Sequence, residues 1–386
     1  MSDKKELSII IACHSCTPFF RETLDSIIDC RGIFGDAELI ICDDNSPAGG
    51  DGDTAREYAG KYPDFIRCIR NSTSSGAALS YQRLVSEAGG RYIMPFDSDD
   101  IFVPFDVQDS IKELDEHPEW CANYGKKMLF SGKDGFLGQS NGGDYSTFAL
   151  LLDPRMTHIG MIIRASELSG KRGYLRADSS SGQVACDVCM WSCLCATKEM
   201  HFRNEIRGFY RIHPGQETKE RQNLFAGEYE RLRDNFLLEH RSVAEKITAG
   251  KGFSISADEK FIASAICGIK FIRATSFADQ YFYVDAATQI LPDDYGANEY
   301  KIKLLLGSGK RDEALKQLIL MLAGHSGKLY VKSVVLRELC EFFREDQRTA
   351  AQLAGIYNST TQDFFFMTES QKQLLQKTID KAKSYL

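Results

Sequence analysis

The sequence predicts an α/β fold with a mainly parallel sheet flanked by helices, followed by an all-α region. Three observations lead to this prediction. Short apolar runs alternate with helical patterns through the first 120 residues, acidic clusters follow two of these runs, and long helical patterns take over from about residue 223. We therefore expect an α/β domain over residues 1–220 and an α-helical domain over residues 221–386.

The first strand and helix are predicted from residues 7–28. Residues 7–12 (LSIIIA) form a nearly continuous apolar run, which is typical of a strand covered on both faces. Thr17 and Pro18 then provide a helix start, and apolar residues follow it at helical spacing: Phe20, Leu24, Ile27 and Ile28.

The same alternation continues along the chain. It predicts strands at 38–42, 66–69 and 91–96, and helices at about 54–63 and 76–88. Such alternation implies right-handed crossovers and a parallel sheet, whose ligands bind beyond the carboxyl ends of the strands. The clusters Asp43-Asp44 and Asp97-Ser98-Asp99-Asp100 both follow strands, so we expect them at one rim of the sheet.

Composition and charge exclude several classes of function. The net charge of -7 leaves no broad basic face for a nucleic-acid backbone. No G-x-G-x-x-G follows the first strand and no P-loop motif occurs, which disfavours dinucleotide and P-loop enzymes. No apolar run approaches the ~20 residues of a membrane-spanning helix. We expect a cytoplasmic protein, with peripheral contact at the inner face of a membrane left open.

The cluster of carboxylates after the fourth strand suggests a divalent cation. In an extended segment Asp97 and Asp99 would point the same way and face one ligand. Mn²⁺ or Mg²⁺ would relieve the repulsion between them and accept phosphate oxygens of a substrate. The alternative for this segment is an ordinary surface turn or helix cap.

A cysteine-rich segment invites a zinc site as a second hypothesis. Its cysteines are Cys186, Cys189, Cys193 and Cys195. Their spacing fits neither of the usual paired C-x-x-C knuckles, and apolar residues are interleaved with them. A buried helix that uses reduced cysteine as a small apolar residue is the favoured interpretation.

An ordered set of motifs resembles the family 2 glycosyltransferases of the GT-A fold. The motifs are LSIIIACHSCTPFFRETLDSII, ELIICDDNSPAGGDGD, GAALSYQRLVSEAGGRYIMPFDSDDIFVP, CDVCMWSCLCAT and FYRIHPGQET, and they cover roughly residues 6–218. The resemblance implies transfer of a sugar from a nucleoside-diphosphate sugar, aided by Mn²⁺ or Mg²⁺ and mostly with inversion at the anomeric carbon.

The resemblance also implies where the donor binds. Asp44 matches the carboxylate that accepts the N–H of a uracil or thymine base, and Ala12 and His14 match the loop that lines the nucleotide pocket. His14 could equally be an ordinary loop histidine. Asp97 would contact the ribose, next to Ser98, and Asp99 would hold the metal on the diphosphate.

On the acceptor side, Asp187 matches the general base of the family's Glu-Asp motif. Cys186 stands where the family commonly has Glu, which puts acceptor contacts or activity in question. His213 resembles a position that is sometimes a metal ligand, although Pro214 and Gly215 also suit a turn. Ser74 and Tyr81-Gln82 also depart from the family's motifs, and these departures leave the contacts with the donor open.

These residues support a metal-dependent, inverting glycosyltransferase that acts on a glycan, lipid-linked or protein acceptor in cell-surface glycoconjugate synthesis. The alternative is a catalytically impaired scaffold that works through its helical tail. A nucleotidyltransferase would need a glycine-rich, basic first loop, which is missing. The tail suggests tetratricopeptide-like hairpins or a plain helical bundle, and it could bind an acceptor, a protein or a second copy of the chain.

Overall fold

The computed structural model describes residues 5–15, 18–133, 135–139, 146–152, 156–168, 174, 185–196, 198–216, 222–249 and 254–324. These residues form two compact units, one within 1–142 and 154–239 and one within 143–153 and 240–386. These units follow a different division from the one expected at residue 220. The expected domain boundary stays a prediction. Thr17 of the predicted helix start lies outside the described residues.

The first unit is built on a mixed sheet. Its described strands are β1 (Leu7–Cys13), β2 (Ala37–Asp43), β3 (Ile66–Arg70), β4 (Tyr92–Pro95), β5 (Ile101–Phe102), β6 (Trp120–Ser131), β7 (Gly135–Gln139), β8 (Ile162–Arg164) and β9 (Glu199–Arg211). They are ordered β3-β2-β1-β4-β8-β6-β9-β5, and β7 pairs with β6. The sheet therefore joins strands that lie far apart in the sequence.

Half of this sheet is parallel, which confirms the α/β prediction. β1 pairs in parallel with both β2 and β4, and β2 pairs in parallel with β3. The helices that connect or flank these strands are α1 (Phe20–Asp29), α2 (Asp51–Lys61), α3 (Ala77–Glu87) and α4 (Val107–Glu116). Ile9, Ile10 and Ile11 of β1 are fully buried. Burial on both faces explains why the strand is a continuous apolar run.

The other half of the sheet differs from the sequence-based expectation. The strands predicted from the sequence all end by residue 96, whereas β6, β7 and β8 lie within or next to residues 120–164. β6 is long, yet its sequence WCANYGKKMLFS has neither clean alternation nor a continuous apolar run. Its place comes from pairing with β9, a contact between distant segments. The segments 140–145, 169–173 and 175–184 lie outside the described residues.

The acidic segment after β4 is a turn, so the extended geometry expected for it is wrong. Residues 98 and 99 form a turn, and the Asp100 N–H donates to the Asp97 carbonyl at 3.5 Å. The Phe96 N–H still donates to the Ile10 carbonyl of β1 at 3.0 Å, and the backbone turns directly after it. Strand alternation therefore does not decide where these carboxylates point.

Helices make up the rest of the described chain. The first unit adds α5 (Cys186–Cys195) and α6 (Gln222–Glu239). The second unit holds α7 (Arg241–Thr248), α8 (Lys260–Arg273), α9 (Phe277–Ile290), α10 (Tyr295–Gly307) and α11 (Arg311–Gly324). The all-α prediction is thus confirmed for the described part of this region. Residues 325–386 lie outside it, and the tetratricopeptide-like arrangement stays a prediction.

Side-chain caps define helix starts in the second unit. Asp294 accepts a hydrogen bond from the Ala297 N–H at the start of α10. The same carboxylate accepts from the Ser146 hydroxyl and the Phe148 N–H, so it also holds residues 146–148 against this helix end. Within the described residues, no helix is long and apolar enough to cross a membrane.

Candidate active site

Asp44 lies at the carboxyl end of β2, and its carboxylate is nearly saturated with hydrogen-bond donors. It accepts from Asn71 Nδ2 at 2.6 Å, Ser74 Oγ at 2.9 Å, Ser75 N and Oγ at 2.9 Å, and Gly76 N at 2.8 Å. Burial would raise the pKa of Asp44, but these hydrogen bonds outweigh it and hold the pKa well below its usual range. Asp44 therefore anchors the loop that leads into α3.

Gly76 turns this loop into the helix. Its φ of 87° lies in the left-handed region, which a side chain disfavours. The Asp44 carboxylate thus receives an N–H from the residue directly before α3, where an anion is favourable. The position of α3 and the position of Asp44 are consequently linked.

Ala12 and His14 lie near Asp44, at the neighbouring ends of β1 and β2. Ala12 pairs with Cys42 across β1 and β2, and the His14 ring is exposed just after β1. His14 Nδ1 lies 2.9 Å from the Asp44 carbonyl oxygen. These three residues form one end of the rim.

Asp97 and Ser98 begin the turn after β4. Tyr81 Oη of α3 donates to Asp97 Oδ1 at 3.0 Å, and His158 Nδ1 lies 3.4 Å from the same oxygen. The Ser98 carbonyl accepts from Thr23 Oγ1 of α1 at 3.0 Å. The turn is therefore held by two helices and by a histidine that the sequence analysis did not single out.

Asp99 and His213 meet directly. His213 Nε2 lies 2.9 Å from Asp99 Oδ2, and the Phe19 ring stacks obliquely on the imidazole at 4.8 Å. Arg211, two residues earlier, donates from Nε to the Asp99 carbonyl at 2.8 Å, and its N–H donates to Asp100 Oδ1 at 2.8 Å. The end of β9 therefore holds the acidic turn in place.

The electrostatics of this turn suit a cation. Burial and neighbouring carboxylates raise the pKa of both Asp99 and Asp100. Burial would raise the pKa of Asp97 as well, but His158 and the hydrogen bond from Tyr81 outweigh it and lower that pKa. Asp100 Oδ2 is buried without a hydrogen-bond partner among the residues that the structure describes. A positive charge here would stabilise the ionised carboxylates.

The donor set at this turn fits Mn²⁺ or Mg²⁺. Asp99 offers a carboxylate oxygen, and His213 offers an imidazole nitrogen, which suits Mn²⁺ better than Mg²⁺. Within the described ranges, no three of the His, Cys, Asp and Glu side chains gather closely enough to hold an ion by themselves. The remaining ligands would have to come from substrate phosphates and water.

Asp187 lies in the first turn of α5, and its Oδ1 accepts a hydrogen bond from the Val188 N–H at 2.8 Å. Burial raises the pKa of this carboxyl, His158 and Lys127 lower it, and Asp97 raises it. Asp187 thus shares its electrostatic surroundings with Asp97. A carboxylate whose pKa is raised by burial is suited to accept a proton from a substrate.

The cysteines of α5 pack as apolar residues. Cys186, Cys189 and Cys195 are buried, and Cys193 is half-buried. Most side chains of this helix are buried, and Asp187 is its one acidic residue. The segment therefore reads as a buried helix that carries a candidate base.

The described structure brings the predicted residues together at one rim. β1 separates β2 from β4, so the strand ends that carry Asp44 and Asp97 lie two strand spacings apart, about 10 Å. α3 connects the two groups, since its start is held by Asp44 and its Tyr81 reaches Asp97. The residues that sequence reasoning missed are His158, Tyr174 and Lys127, which belong to no motif and reach the site through long-range contacts.

Comparisons with known proteins point to one family for the first part of the chain. Residues 8–149 match the family described as Glycosyl transferase family 2. EpsE of Bacillus subtilis, which is named as a glycosyltransferase, is 32% identical over 117 residues, covering 30% of this chain and 41% of EpsE. The Escherichia coli protein named UDP-Glc:alpha-D-GlcNAc-diphosphoundecaprenol beta-1,3-glucosyltransferase WfaP is 34% identical over 106 residues, covering 27% of this chain and 39% of WfaP. The chain spans about two fifths of these relatives.

Solved structures with a similar course of the chain are more distant. Residues 1–349 of TarS from S. aureus give a TM-score of 0.47 at 14% identity, covering 85% of this chain and 93% of that chain. The mannosyltransferase PcManGT from Pyrobaculum calidifontis, solved with GDP-Man and Mn²⁺, gives 0.46 at 13% identity, covering 84% and 86%. Similarities at these scores add no argument about function.

Proposed function

We propose that this chain, whose residues 8–149 match the family described as Glycosyl transferase family 2, transfers a sugar from a nucleoside-diphosphate sugar to an acceptor hydroxyl. The observation that carries the proposal is the acidic turn after β4. In this turn the Asp99 carboxylate contacts the His213 imidazole, and Asp97 influences the pKa of Asp187. Carboxylates at a strand end of an α/β sheet lie where such folds bind ligands.

We propose that the donor is a uridine diphosphate sugar. Two observations support this choice: Asp44 and His14 lie together at the end of β2, and WfaP, a relative, is named for a UDP-Glc donor. Because Asp44 Oδ2 already accepts from Ser74 Oγ and from the Gly76 N–H, a base N–H would have to take the place of the Ser74 hydroxyl. The Ser74 side chain can rotate, which makes that replacement feasible.

A divalent cation is part of the proposal. Asp99 and His213 would hold Mn²⁺ or Mg²⁺, and the ion would stabilise the charge that grows on the departing nucleoside diphosphate. The two side chains touch at 2.9 Å, so they would have to separate slightly to admit an ion. Asp97 would meanwhile hold the ribose next to Ser98.

Asp187 would act as the general base. Its carboxylate would take the proton of the acceptor hydroxyl as the hydroxyl oxygen attacks the anomeric carbon. The new glycosidic bond would form on the face opposite to the breaking bond, so a single displacement would invert the anomeric centre. The acceptor would be a glycan, a lipid-linked sugar or a protein, and the name of WfaP favours the lipid-linked class. A cytoplasmic location with peripheral membrane contact stays a prediction.

The test uses the full chain and a panel of nucleoside-diphosphate sugars. We expect UDP with Mn²⁺ to raise the melting temperature, and one sugar donor to release UDP faster when a lipid-linked sugar acceptor is added. Asp99→Asn should abolish the thermal shift. Absence of any nucleotide-dependent shift in the wild type would contradict the proposal, and a shift without transfer to any acceptor would favour the scaffold alternative.

A further inference from the structure

His158 is buried beneath the acidic turn and contacts two polar partners with its two ring nitrogens. Nδ1 lies 3.4 Å from Asp97 Oδ1, and Nε2 lies 2.9 Å from Tyr174 Oη. Only 7% of the residue is exposed. A buried imidazole whose two nitrogens both face polar partners has a defined orientation.

Aromatic rings hold this imidazole from the side. The Tyr81 and Tyr174 rings stack at 4.8 Å, and the Tyr81 ring meets the His158 ring edge-on at 5.1 Å. Tyr81 Oη donates to the Phe96 carbonyl at 2.9 Å and to Asp97 Oδ1 at 3.0 Å. The three rings therefore form one packed group under the turn.

The two carboxylate oxygens of Asp97 differ in their contacts. Tyr81 and His158 both face Oδ1, and no residue that the structure describes hydrogen-bonds Oδ2. The Asp97 side chain nevertheless keeps 36% of its surface exposed. Oδ1 is thus held by Tyr81 and His158, which leaves Oδ2 available to a ligand as far as the described residues are concerned.

The Tyr174 hydroxyl can select which nitrogen of His158 carries the proton. Burial raises the pKa of the Tyr174 hydroxyl well above its usual range, so it stays protonated and can donate to Nε2. If Nε2 accepts a hydrogen bond in a neutral imidazole, Nδ1 carries the N–H and directs it at the Asp97 carboxylate. A proton on Nδ1 is the arrangement that attracts Asp97.

We propose that His158 is a positioning residue, held by Tyr174, that fixes the Asp97 carboxylate so that Oδ2 faces the ribose hydroxyls of a nucleoside diphosphate. This inference rests on the proposed function for the identity of the ligand. It adds a role for a residue that carries no motif, and it explains why a tyrosine at position 81 is compatible with donor binding.

The experiment compares two substitutions of the same residue in the full chain. His158→Phe keeps an aromatic ring but removes the donor, whereas His158→Asn keeps an N–H near the position of Nδ1. We expect His158→Phe to raise the Kd for UDP with Mn²⁺ and the donor KM by about tenfold, with a smaller change in kcat. His158→Asn should stay within about threefold of the wild type.

A matched control and a second variant separate positioning from folding. His201→Phe replaces another histidine of the same unit, one that stacks on Trp120 at 4.0 Å, and should leave the Kd unchanged. Tyr174→Phe keeps the ring stack but removes the hydroxyl. As a single substitution it should weaken UDP binding, and added to His158→Phe it should have no further effect. Nitrogen NMR of histidine-labelled wild type should show the proton on Nδ1.

The outcomes distinguish the two claims. A wild type that binds no nucleoside diphosphate overturns the proposed function. A wild type that binds UDP while His158→Phe binds it equally well overturns the positioning role alone. Additive effects of the two substitutions, or a proton on Nε2 of His158, would also overturn it.

Discussion

His213 Nε2 lies 2.9 Å from Asp99 Oδ2, although 114 positions separate the two residues in the sequence. The contact exists because β9 pairs with both β6 and β5 and its end returns to the acidic turn. A histidine nitrogen and a carboxylate oxygen at one point are a donor pair for a transition metal.

Replacement of either partner should abolish metal-supported donor binding. We expect Asp99→Asn and His213→Gln to lower kcat/KM by about 100-fold or more, because loss of stabilisation of ~3 kcal/mol corresponds to that factor. Steady-state kinetics with a sugar donor measures kcat/KM, and titration with Mn²⁺ in the presence of UDP measures the loss of binding. His117→Gln, a partly exposed histidine that stacks on Trp120, is the control and should bind UDP and Mn²⁺ normally.

Asp187→Asn should separate chemistry from binding. Removal of a general base lowers kcat by about 10² to 10⁴. The Kd for UDP should stay within about threefold, since Asp187 is placed on the acceptor side of the reaction. Single-turnover kinetics and isothermal titration measure the two quantities. An equal loss in Cys189→Ser, on the same helix, would show that the effect comes from damage to α5.

The pH profile should respond to Lys127. Its charge lowers the pKa of Asp187, whereas burial raises it. A general base works only when deprotonated, so the acid limb of kcat/KM follows this pKa. Lys127→Met should therefore move the acid limb to higher pH. Lys133→Met, on an exposed turn, should leave the limb in place; a shift to lower pH in Lys127→Met would contradict the argument.

Asp44→Ala should destabilise the protein in a pH-dependent way. The substitution removes the shared acceptor of five donor atoms, of which Asn71 Nδ2 keeps the Ser75 and Ser80 hydroxyls, at a cost of about 2 to 3 kcal/mol near neutral pH. The folded-state pKa of Asp44 is lowered, so its contribution is present above the ordinary aspartate pKa and is lost as the pH falls towards the folded value.

Thermal unfolding at a series of pH values tests this prediction. The difference between wild type and Asp44→Ala should shrink below about pH 4. Asp36→Ala removes an exposed carboxylate that is paired with Lys5 and should cost no more than about 1 kcal/mol at any pH. A constant difference across the series would argue against the linkage.

Two glycines within helices should respond oppositely to alanine. A Cβ on Gly268 of α8 would collide with the Phe148 carbonyl oxygen, so Gly268→Ala should lower the free energy of unfolding by about 1 to 3 kcal/mol. Gly227 of α6 has open space around it, and Gly227→Ala should raise it by about 0.5 to 1 kcal/mol through helix propensity. Thermal unfolding followed by circular dichroism measures both; a stabilised Gly268→Ala would contradict the close packing.

Much of the parallel half-sheet could be predicted from local pattern. The predicted bounds of β1, β2, β3 and β4 agree with the structure to within one residue at each end. A strand covered on both faces must be apolar almost throughout, and this leaves a mark that needs no knowledge of distant segments. The position of Asp44 and Asp97 at strand ends then placed both at one rim.

β6 and β9 illustrate what local pattern misses. β6 contains Gly125, Lys126 and Lys127, which interrupt its apolar residues. A search for apolar runs therefore does not identify it as a strand. Buried Arg207 of β9 hydrogen-bonds Asn123 of β6 and the Gly160 carbonyl, so polar groups are satisfied across strands. Such a strand is stabilised by partners distant in sequence.

The amino-acid order along each segment sufficed to identify the α/β alternation, the helical second part and the carboxylates that follow strands, because these depend on periodicity and turn chemistry. The placement of His158 and Tyr174 beneath Asp97, the turn geometry of 97–100 and the contact of His213 with Asp99 required the folded chain. Each of these depends on contacts between side chains of different strands and helices. Such long-range contacts produce no periodic pattern in the sequence of any one segment.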